Sequence, residues 1–451
     1  MSKLERQPLV GKYRNYSTYS NSGVDWIGEM PAVWTLKRVK HMFTIRKRIA
    51  GELGYDILSV TQRGIVVKDI ESGEGQLSMD YSKYQRVKPG DFAMNHMDLL
   101  TGYVDISDYD GVTSPDYRVF TLDNTDYFAK YFLYIFQMGY QLRLFFHMGQ
   151  GASHLGRWRL ATDEFNEMVF PVPSCEEQRT IAAFLDYETA RIDRLITQQQ
   201  RLIELLKEKR QAVISHAVTK GLNPNAPMRD SGIEWLGQVP KHWDVSRLKF
   251  ESDVIDCRNK TPEYFDNGEY FVVRTTNVKN QQLNFNNALY TDKNNFEIWT
   301  QRGVPVAGSI LFTREAPTGE VCIVPENVKL CMGQRMMNFI CSREIYTSYL
   351  FDYLISACLE RYINSVSHGS TVSHLRVEQV ENIPVLVPPE EELVAIHEHI
   401  RILKKQYDIL ETKVLKAIEL MQERRTALIS AAVTGKIDLR GWTPPAEEAA
   451  A

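Results

Sequence analysis

The chain carries the same motif twice. Residues 22–34 read SGVDWIGEMPAVW and residues 231–243 read SGIEWLGQVPKHW, an offset of 209 residues. A second echo, the tripeptide AVT at 217–219 and 432–434, has an offset of 215. Self-similarity of this kind indicates that one structural design was duplicated and joined head to tail. We therefore expect two similar halves, and a partner that itself has two parts.

Composition and charge leave the function open. A length of 451 residues suggests about three domains, and 43% apolar residues are enough for buried cores. The formal net charge of −4 means that binding to a polyanion would depend on local basic patches. Six cysteines without a C-x-x-C pair indicate reduced thiols and a cytoplasmic location. The N-terminus has no apolar signal core, and neither secretion nor membrane binding is indicated.

Each half begins with a segment of mixed α+β character. Short strand-like runs separated by turns are predicted at 55–60, 65–68, 270–274, 310–312 and 321–324. An amphipathic helix then follows in each half, at 131–146 and 349–363. The repeated order predicts two globular domains of mixed α/β structure.

A heptad pattern follows each globular segment. Apolar residues recur in steps of four and three from Ile181 and again from Ile396, over about five heptads. Each series predicts a helix of roughly 42 residues, or ~63 Å long. The predicted seam includes Leu195, Leu202, Lys209 and His216 in the first helix and Leu410 and Arg424 in the second. We expect the helices to pair within the chain as an antiparallel coiled coil, with approximate two-fold pseudo-symmetry between the halves.

These patterns divide the chain into five segments. The predicted segments are an arm and first globular domain at 1–173, a first long helix at 174–222, a second globular domain at 223–388, a second long helix at 389–435, and a tail at 436–451.

The ordered set of motifs resembles the specificity subunits of type I restriction-modification systems. The resemblance lies in the repeated Trp motif at 22–34 and 231–243 and in the small-residue loops at 151–153 and 369–371. It continues in the proline-rich step into a Glu-Glu-Gln helix start at 171–178 and in the helix endings at 210–219 and 425–434. Two departures are Glu390-Glu-Glu-Leu393 at the second helix start and Ser367-His-Gly369 before the second loop.

The resemblance implies a DNA-reading subunit with no catalytic activity of its own. Each globular domain would be a target-recognition domain for one half of a bipartite, asymmetric sequence in double-stranded DNA. The helices would set the spacer and dock two methyltransferase subunits, which carry S-adenosylmethionine and methylate adenine N6 after base flipping. Two restriction subunits, which use ATP and Mg, would complete the complex, and this chain would bind no cofactor or metal.

Candidate DNA contacts fall into three groups, and for each the alternative is a structural role. Cations that could neutralise phosphates are Lys37, Arg38, Lys40, Arg46, Lys47 and Arg48 in the first half and Arg247, Lys249, Arg258 and Lys260 in the second. Side chains suited to reading base edges are Gln62, Arg63, Asn95, His96, Arg274, Asn277, Arg314, Gln334 and Arg335. Glycine-containing loops that could approach phosphate contain Ser153, His154, Ser370 and Thr371.

Other readings of the chain have weaker support. The sequence from Ser114 to Tyr117 is like an adenine methyltransferase motif, but Asp116 replaces its second proline and no glycine-rich cofactor loop precedes it. His397 and His399 are two residues apart on a helix and make a poor metal pair. The four tryptophans of the repeated motif are interpreted as core anchors. The remaining alternative is a coiled-coil scaffold that binds proteins alone.

Overall fold

The computed structural model describes residues 13–70, 78–150, 158–258, 260–366 and 374–445. The chain forms two compact units, unit 1 (Met1–Gln199 with Lys416–Ala451) and unit 2 (Gln200–Leu415). Each unit therefore combines one globular segment with part of both long helices. The division of the chain into five segments stays a prediction.

In the residues that the structure describes, unit 1 is built from short strands, two shorter α-helices and parts of both long helices. Its strands are β1 (Tyr19–Asn21), β2 (Glu29–Pro31), β3 (Thr35–Arg38), β4 (Phe43–Arg46), β5 (Asp56–Thr61), β6 (Gly64–Val67), β7 (Gln85–Val87), β8 (Phe92–Met94), β9 (Val104–Ile106), β10 (Gly111–Thr113), β11 (Arg118–Leu122), β12 (Gly149–Gln150), β13 (Arg159–Leu160) and β14 (Val169–Val172). Its helices are α1 (Ala129–Gln141), α2 (Thr162–Glu167) and the first part of α3 (Cys175–Lys220).

Two four-stranded sheets organise unit 1. One is antiparallel with the order β4-β11-β8-β9, and the other has the order β6-β5-β10-β7, in which β10 runs parallel to β5. Aromatic side chains fill the core under the first sheet: Phe43, Phe92, Phe120 and Phe136 are all buried, with the Phe92 and Phe120 rings stacked 5.0 Å apart. Burial of these rings supplies a large share of the apolar driving force for this unit.

Unit 2 repeats the plan. Its strands are β15 (Met228–Asp230), β16 (Gln238–Pro240), β17 (Asp244–Arg247), β18 (Ser252–Asp256), β19 (Tyr270–Val273), β20 (Val278–Lys279), β21 (Gln282–Leu283), β22 (Tyr290–Thr291), β23 (Ile310–Thr313), β24 (Val321–Ile323), β25 (Leu330–Met332), β26 (Met336–Cys341) and β27 (Pro384–Val387). Its helices are α4 (Leu248–Glu251), α5 (Lys293–Trp299), α6 (Glu344–Leu354), α7 (Ala357–Val366), α8 (Val377–Glu381) and the first part of α9 (Glu390–Val433).

The sheets of unit 2 follow the strand order of unit 1, except that the second sheet has three strands and no counterpart of β7 in the residues that the structure describes. The order β18-β26-β23-β24 matches β4-β11-β8-β9, and the parallel pair β19 and β25 matches β5 and β10. The strands β6 and β22 pair antiparallel with the outer side of β5 and β19 respectively. The sequence repeat thus corresponds to a repeat of strand order.

The repeated Trp motif anchors the start of the long helix in each unit. In unit 1 the buried Trp34 donates its indole N–H to the Glu177 carboxylate at 3.1 Å, in the first turn of α3. In unit 2 the buried Trp243 donates to Glu392 in the first turn of α9 at 3.0 Å. A carboxylate in the first helical turn also interacts favourably with the helix dipole. The interpretation of these two tryptophans as core anchors agrees with this geometry.

Each unit also holds the end of the other long helix. The Tyr131 hydroxyl of α1 donates to the Val433 carbonyl at the end of α9, at 3.2 Å. The Tyr349 hydroxyl of α6 donates to the Val218 carbonyl near the end of α3, at 2.7 Å. Both tyrosines are fully buried, and their burial raises the pKa of each hydroxyl well above its usual value. These bonds satisfy carbonyls that a helix end leaves without an intrahelical partner.

The long helices pair inside each unit. In unit 1, Arg425 of α9 contacts Asp193 of α3 at 3.0 Å. In unit 2, Arg210 contacts Asp408 at 2.8 Å and Lys207 contacts Glu411 at 3.4 Å. The partner number falls as the α3 number rises, so the helices run antiparallel in unit 2.

The predicted phase of the helix seam is wrong in part. Leu195 and Leu202 are each 39% exposed, Leu410 is 44% exposed, and Lys209, His216 and Arg424 are also exposed. The less exposed face of α3 instead includes Ile196, Ile203 and Arg210, one position later. Apolar residues occur both at the predicted seam positions and one position later, as at Leu202 and Ile203. Periodicity alone therefore did not show which of the two positions is less exposed.

The two predicted amphipathic helices differ from the expectation, because the first ends earlier and the second is divided into two. The first stops at Gln141, and Arg143 adopts a positive φ of 55° that terminates the helix. The second divides into α6 and α7, because Ser356 accepts a hydrogen bond from the Cys358 amide and so caps a new helix. No helix in the described ranges is long and apolar enough to cross a membrane.

Candidate nucleic-acid interface

The turn between β5 and β6 carries two of the predicted base-reading residues. Gln62 and Arg63 are both exposed there. The Thr61 hydroxyl accepts from the Arg63 amide at 3.1 Å and donates to the Gly64 carbonyl at 2.9 Å. Gly64 has a φ of +104°, and a side chain there would meet the Asp105 carboxylate. The turn is therefore held in one conformation with two polar side chains directed to solvent.

The corresponding position in unit 2 holds a longer insertion. Residues 274–289 lie between β19 and β22 and contain the β20–β21 hairpin. Arg274 lies at its base and donates to the Asn287 carbonyl at 2.9 Å. Equivalent strands of the two units are thus joined to their neighbours by unlike connections.

Asn277 has a structural role that differs from the expected base contact. It is 1% exposed, its amide oxygen accepts from the Arg274 backbone N–H at 3.0 Å, and its amide nitrogen donates to the Asn284 carbonyl at 3.0 Å. Because both amide atoms are used inside the protein, this side chain braces the base of the insertion and is not available to a base.

Three more predicted residues of unit 2 lie together. The Arg314 amide donates to the Arg335 carbonyl at 2.9 Å, and Gln334 is the exposed neighbour of Arg335. Arg335 has a φ of +66° and pairs with Glu315 at 3.0 Å. The side chain of Arg314 is largely buried and lies 3.5 Å from Asp256, so its charge is directed inward.

His96 is also buried, contrary to the expectation of a base contact. It is 6% exposed, and burial together with the neighbouring Arg118 and Arg159 lowers its pKa to about 3. Its neighbour Asn95 is half-buried, and the Asn95 carbonyl accepts from the Tyr140 hydroxyl at 2.8 Å. The imidazole is therefore neutral near pH 7 and adds no positive charge to the surface.

Arg118 is a buried cation that sequence reasoning missed. It is 4% exposed, it donates to the Leu160 carbonyl at 3.2 Å, and its guanidinium lies 4.5 Å from the centre of the Phe165 ring. Burial lowers its pKa to about 10. An arginine that begins a strand carries no sequence signal for burial, since this residue type is usually exposed.

Most cations of the basic stretch in unit 1 already have partners within the protein. Arg38 lies 3.1 Å from Glu167 and Lys40 pairs with the same carboxylate, whose pKa is lowered mainly by the Lys40 hydrogen bond. Other partnered members are Lys37 with the Tyr127 hydroxyl at 2.7 Å, Arg46 with Thr121 at 2.9 Å and Arg48 with Asp91 at 2.5 Å. Lys47 is exposed and makes no ion pair with any described residue.

The second basic group is more dispersed. Arg247 donates to the Asn382 side chain at 2.9 Å, and Arg258 donates to the Ile298 carbonyl at 3.1 Å. Lys249 lies over the ring of the exposed Phe250, and Lys260 is exposed. Ser153, His154, Ser370 and Thr371 lie outside the described residues.

The residues weighed for catalysis do not form a reactive group. The Ser114 hydroxyl accepts from the Asp116 amide at 3.2 Å inside a turn. His397 lies 3.6 Å from the buried Asp352, which also pairs with Lys404. Within the described ranges, no three His, Cys, Asp or Glu side chains are placed to hold a metal ion.

Family comparison agrees with the repeat. The model of the type I restriction modification DNA specificity domain matches residues 69–205 and 240–420, which together cover more than half of the chain. The chain belongs to this family of specificity subunits. The two matches fall one in each half, and each extends into a long helix.

Curated relatives are distant but consistent. The MjaVIII specificity subunit of Methanocaldococcus jannaschii is 24% identical over 291 residues, which are 61% of this chain and 64% of that protein. This chain thus spans less than two thirds of that relative. The MjaIX specificity subunit of the same organism is 22% identical over 436 residues, covering 91% of this chain and 95% of that protein.

A solved structure supports the fold. A chain from a study of complex assembly and conformational transition of the type I R-M system aligns with a TM-score of 0.65 at 13% identity, covering 90% of this chain and 98% of that one. The mixed helix and sheet content and the two domains are therefore those of a type I specificity subunit.

Proposed function

We propose that this specificity subunit reads a bipartite, asymmetric DNA sequence, with unit 1 on one half-site and unit 2 on the other. The observation that carries the proposal is the pair of connections after β5 and β19. The strand order around them is the same, but the exposed side chains differ. They are Gln62 and Arg63 in unit 1 and those of an asparagine-rich insertion, residues 274–289, in unit 2. Unlike polar surfaces on a repeated frame fit two unlike half-sites.

The long helices are proposed to act as an intramolecular antiparallel coiled coil that sets the spacer. The support is that α3 and α9, of 46 and 44 residues, each contribute to both units and pair within each of them. Their less exposed positions recur mostly in steps of four and three, as in a coiled coil. On this proposal the repeat gives the subunit an approximate two-fold axis.

Docking of two methyltransferase subunits on these helices is supported by apolar side chains left in solvent. The exposed apolar residues of the two helices include Leu195, Leu202, Leu205, Val394, Ile402, Ile409, Leu410, Leu415 and Leu420. Exposed apolar surface on a helix is typical of a protein interface. In this proposal the methyltransferases supply S-adenosylmethionine and adenine N6 methylation, and two restriction subunits supply ATP and Mg chemistry, while this chain is non-catalytic.

The proposal is tested by producing the chain with its cognate methyltransferase subunits in a host that lacks other adenine methylation. Long-read sequencing of host DNA should return one motif made of two unlike half-sites at a fixed separation. Methylation without any sequence preference, or binding of random and native DNA with equal affinity in a mobility shift, would contradict it and favour a protein-binding scaffold.

The spacer role has its own test. Insertion of four residues after Gln199 in α3 and four after Leu415 in α9 lengthens each helix by ~6 Å. The spacer should grow by about two base pairs, since the rise of DNA is about 3.4 Å per base pair. Both half-sites should persist, and an unchanged spacer would contradict the role.

A further inference from the structure

The β20–β21 hairpin of unit 2 ends in a two-residue turn of defined geometry. Val278 pairs with Leu283 and Lys279 with Gln282, which leaves Asn280 and Gln281 as the turn. Their φ angles are +53° and +64°. Positive φ at both central residues is the signature of a type I′ turn, which matches the twist of the two strands. Gln281 is an unusual choice here, since glycine is the residue that this position favours.

The hairpin is fixed at its base. Val278 is 1% exposed and Leu283 packs against the same apolar cluster. The buried side-chain amide of Asn277 binds the backbone on both sides of the hairpin, at Arg274 and at Asn284, and the Asn284 backbone amide donates to the Asn277 carbonyl at 2.7 Å. A turn held in this way loses little conformational entropy when it binds a ligand.

The tip presents polar groups to solvent. Lys279, Asn280, Gln281 and Gln282 are all exposed. None of these side chains forms a hydrogen bond or ion pair with a described residue. Asparagine suits the positive φ at position 280, but neither turn amide bonds to a described residue, so both are available to a ligand.

The charge of the insertion suits a polyanion. Residues 270–291 contain Arg274 and Lys279 and no acidic residue. These two cations make the segment locally positive, and the nearest acidic residues in the sequence, Glu269 and Asp292, flank its two ends.

We propose that the β20–β21 hairpin enters the DNA major groove and that Asn280 and Gln281 read adenine there. The major groove is about 12 Å wide and admits a two-stranded β-ribbon. A side-chain amide can accept from adenine N6 and donate to N7, a pairing that the other bases do not offer. Lys279 lies next to the turn and is placed to contact a phosphate. This inference rests on the proposed function, and it names the residues that specify A·T pairs in the half-site of unit 2.

The variant N280G/Q281G removes both amides and keeps the turn, because glycine adopts positive φ without strain. The matched control is N327G. Asn327 is an exposed asparagine with a φ of +62°, and it lies in another turn of unit 2. The control therefore removes one exposed amide at the same backbone geometry, away from the hairpin.

Both variants are compared with the wild type in the complete methyltransferase complex by long-read methylome sequencing. The hairpin variant should lose one or two defined A·T positions from a single half-site, while the other half-site and the spacer persist. The control should leave the motif unchanged. A hairpin variant that methylates the wild-type motif unchanged would overturn the inference and leave the proposed function standing. If the wild type itself returns no bipartite motif, the proposed function fails and this inference fails with it.

A second measurement does not depend on the glycine variant. The adenines of the unit 2 half-site are replaced one at a time by 7-deazaadenine, which lacks the N7 acceptor, and binding of the wild-type complex is measured. Affinity should fall about 10- to 100-fold at one or two positions. No loss at any adenine of that half-site would contradict major-groove reading by these amides.

Discussion

The connections after β5 and after β19 occupy equivalent places in the two units. They differ in length and in the side chains that they expose. In unit 1 the connection is the tight turn at Gln62 and Arg63. In unit 2 it is the sixteen-residue insertion at 274–289, which carries the β20–β21 hairpin. Since the neighbouring sheets keep their order, the insertion changed the exposed surface and not the fold.

In contrast to these connections, the contact between the repeated Trp motif and the start of the long helix is the same in both units. Trp34 bonds to Glu177 at 3.1 Å and Trp243 bonds to Glu392 at 3.0 Å. A buried indole without an acceptor would cost about 1–3 kcal/mol, so a change in one partner has to be matched by the other. Buried polar pairs therefore hold the repeat fixed, whereas exposed loops are free to diverge.

The largest expected effect follows from removing an anchor of this frame. Trp243→Ala should destabilise unit 2 by about 3–5 kcal/mol, because it empties a fully buried site and leaves Glu392 without its indole donor. Hydrogen exchange should show protection lost in the strands of unit 2. Trp34→Ala should do the same in unit 1, and equal loss in both units from either change would contradict the comparison.

A difference in acid sensitivity should separate the units. The folded pKa of His96, at about 3, lies below its unfolded value of about 6.5, so unfolding takes up a proton between these values. This contribution to stability is present above pH 6.5 and is lost as pH falls, by about 1.4 kcal/mol per pH unit. His96→Leu should flatten the pH dependence of unfolding of unit 1 between pH 6 and 4. An unchanged slope would show that the imidazole is not buried as described.

A smaller effect is expected at the bonds that hold the helix ends. Tyr131→Phe and Tyr349→Phe each remove a hydroxyl that donates to a carbonyl of α9 or α3. Each should cost about 1–2 kcal/mol in its own unit, since a buried carbonyl loses its donor. The free energy of unfolding of each variant is measured in urea, and hydrogen exchange shows which unit is destabilised. If only one of the two variants were destabilised, the two helix ends would not be held in the same way.

The smallest effects concern phosphate contacts. Lys47→Ala should weaken DNA binding a few-fold and reduce the salt dependence by about one ion, because Lys47 has no ion pair with a described residue. Arg38→Ala should change binding less, since Glu167 already pairs with Arg38 at 3.1 Å. Binding titrations at several salt concentrations compare them, and a larger loss from Arg38→Ala would reverse the assignment.

Much of the fold could be predicted from the sequence because the repeat and the heptads are long-range patterns. The two long helices follow directly from the heptads, whereas the strand at 270–273 was predicted, as 270–274, from a local strand-like run. The seam phase did not, because Leu202 and Ile203 are both apolar and tertiary packing chose between them. The break at Ser356 was missed because a single serine cap gives little signal inside an apolar run.

The candidate site was less predictable. Residue type suggested Asn277 and His96, but burial removes both from a DNA surface. Asn280 and Gln281 were passed over because a turn amide carries no signal until its backbone angles and exposure are known. Base reading depends on the placement of exposed loops, which local sequence patterns do not fix.

The central claim is that each unit recognises its own half-site independently of the other. The most direct test is an exchange of residues 35–170 for those of a related specificity subunit, followed by methylome sequencing of the complete complex. The account predicts that the half-site assigned to unit 1 is replaced, while the half-site of unit 2 and the spacer length stay as in the wild type. A change in both half-sites would contradict it.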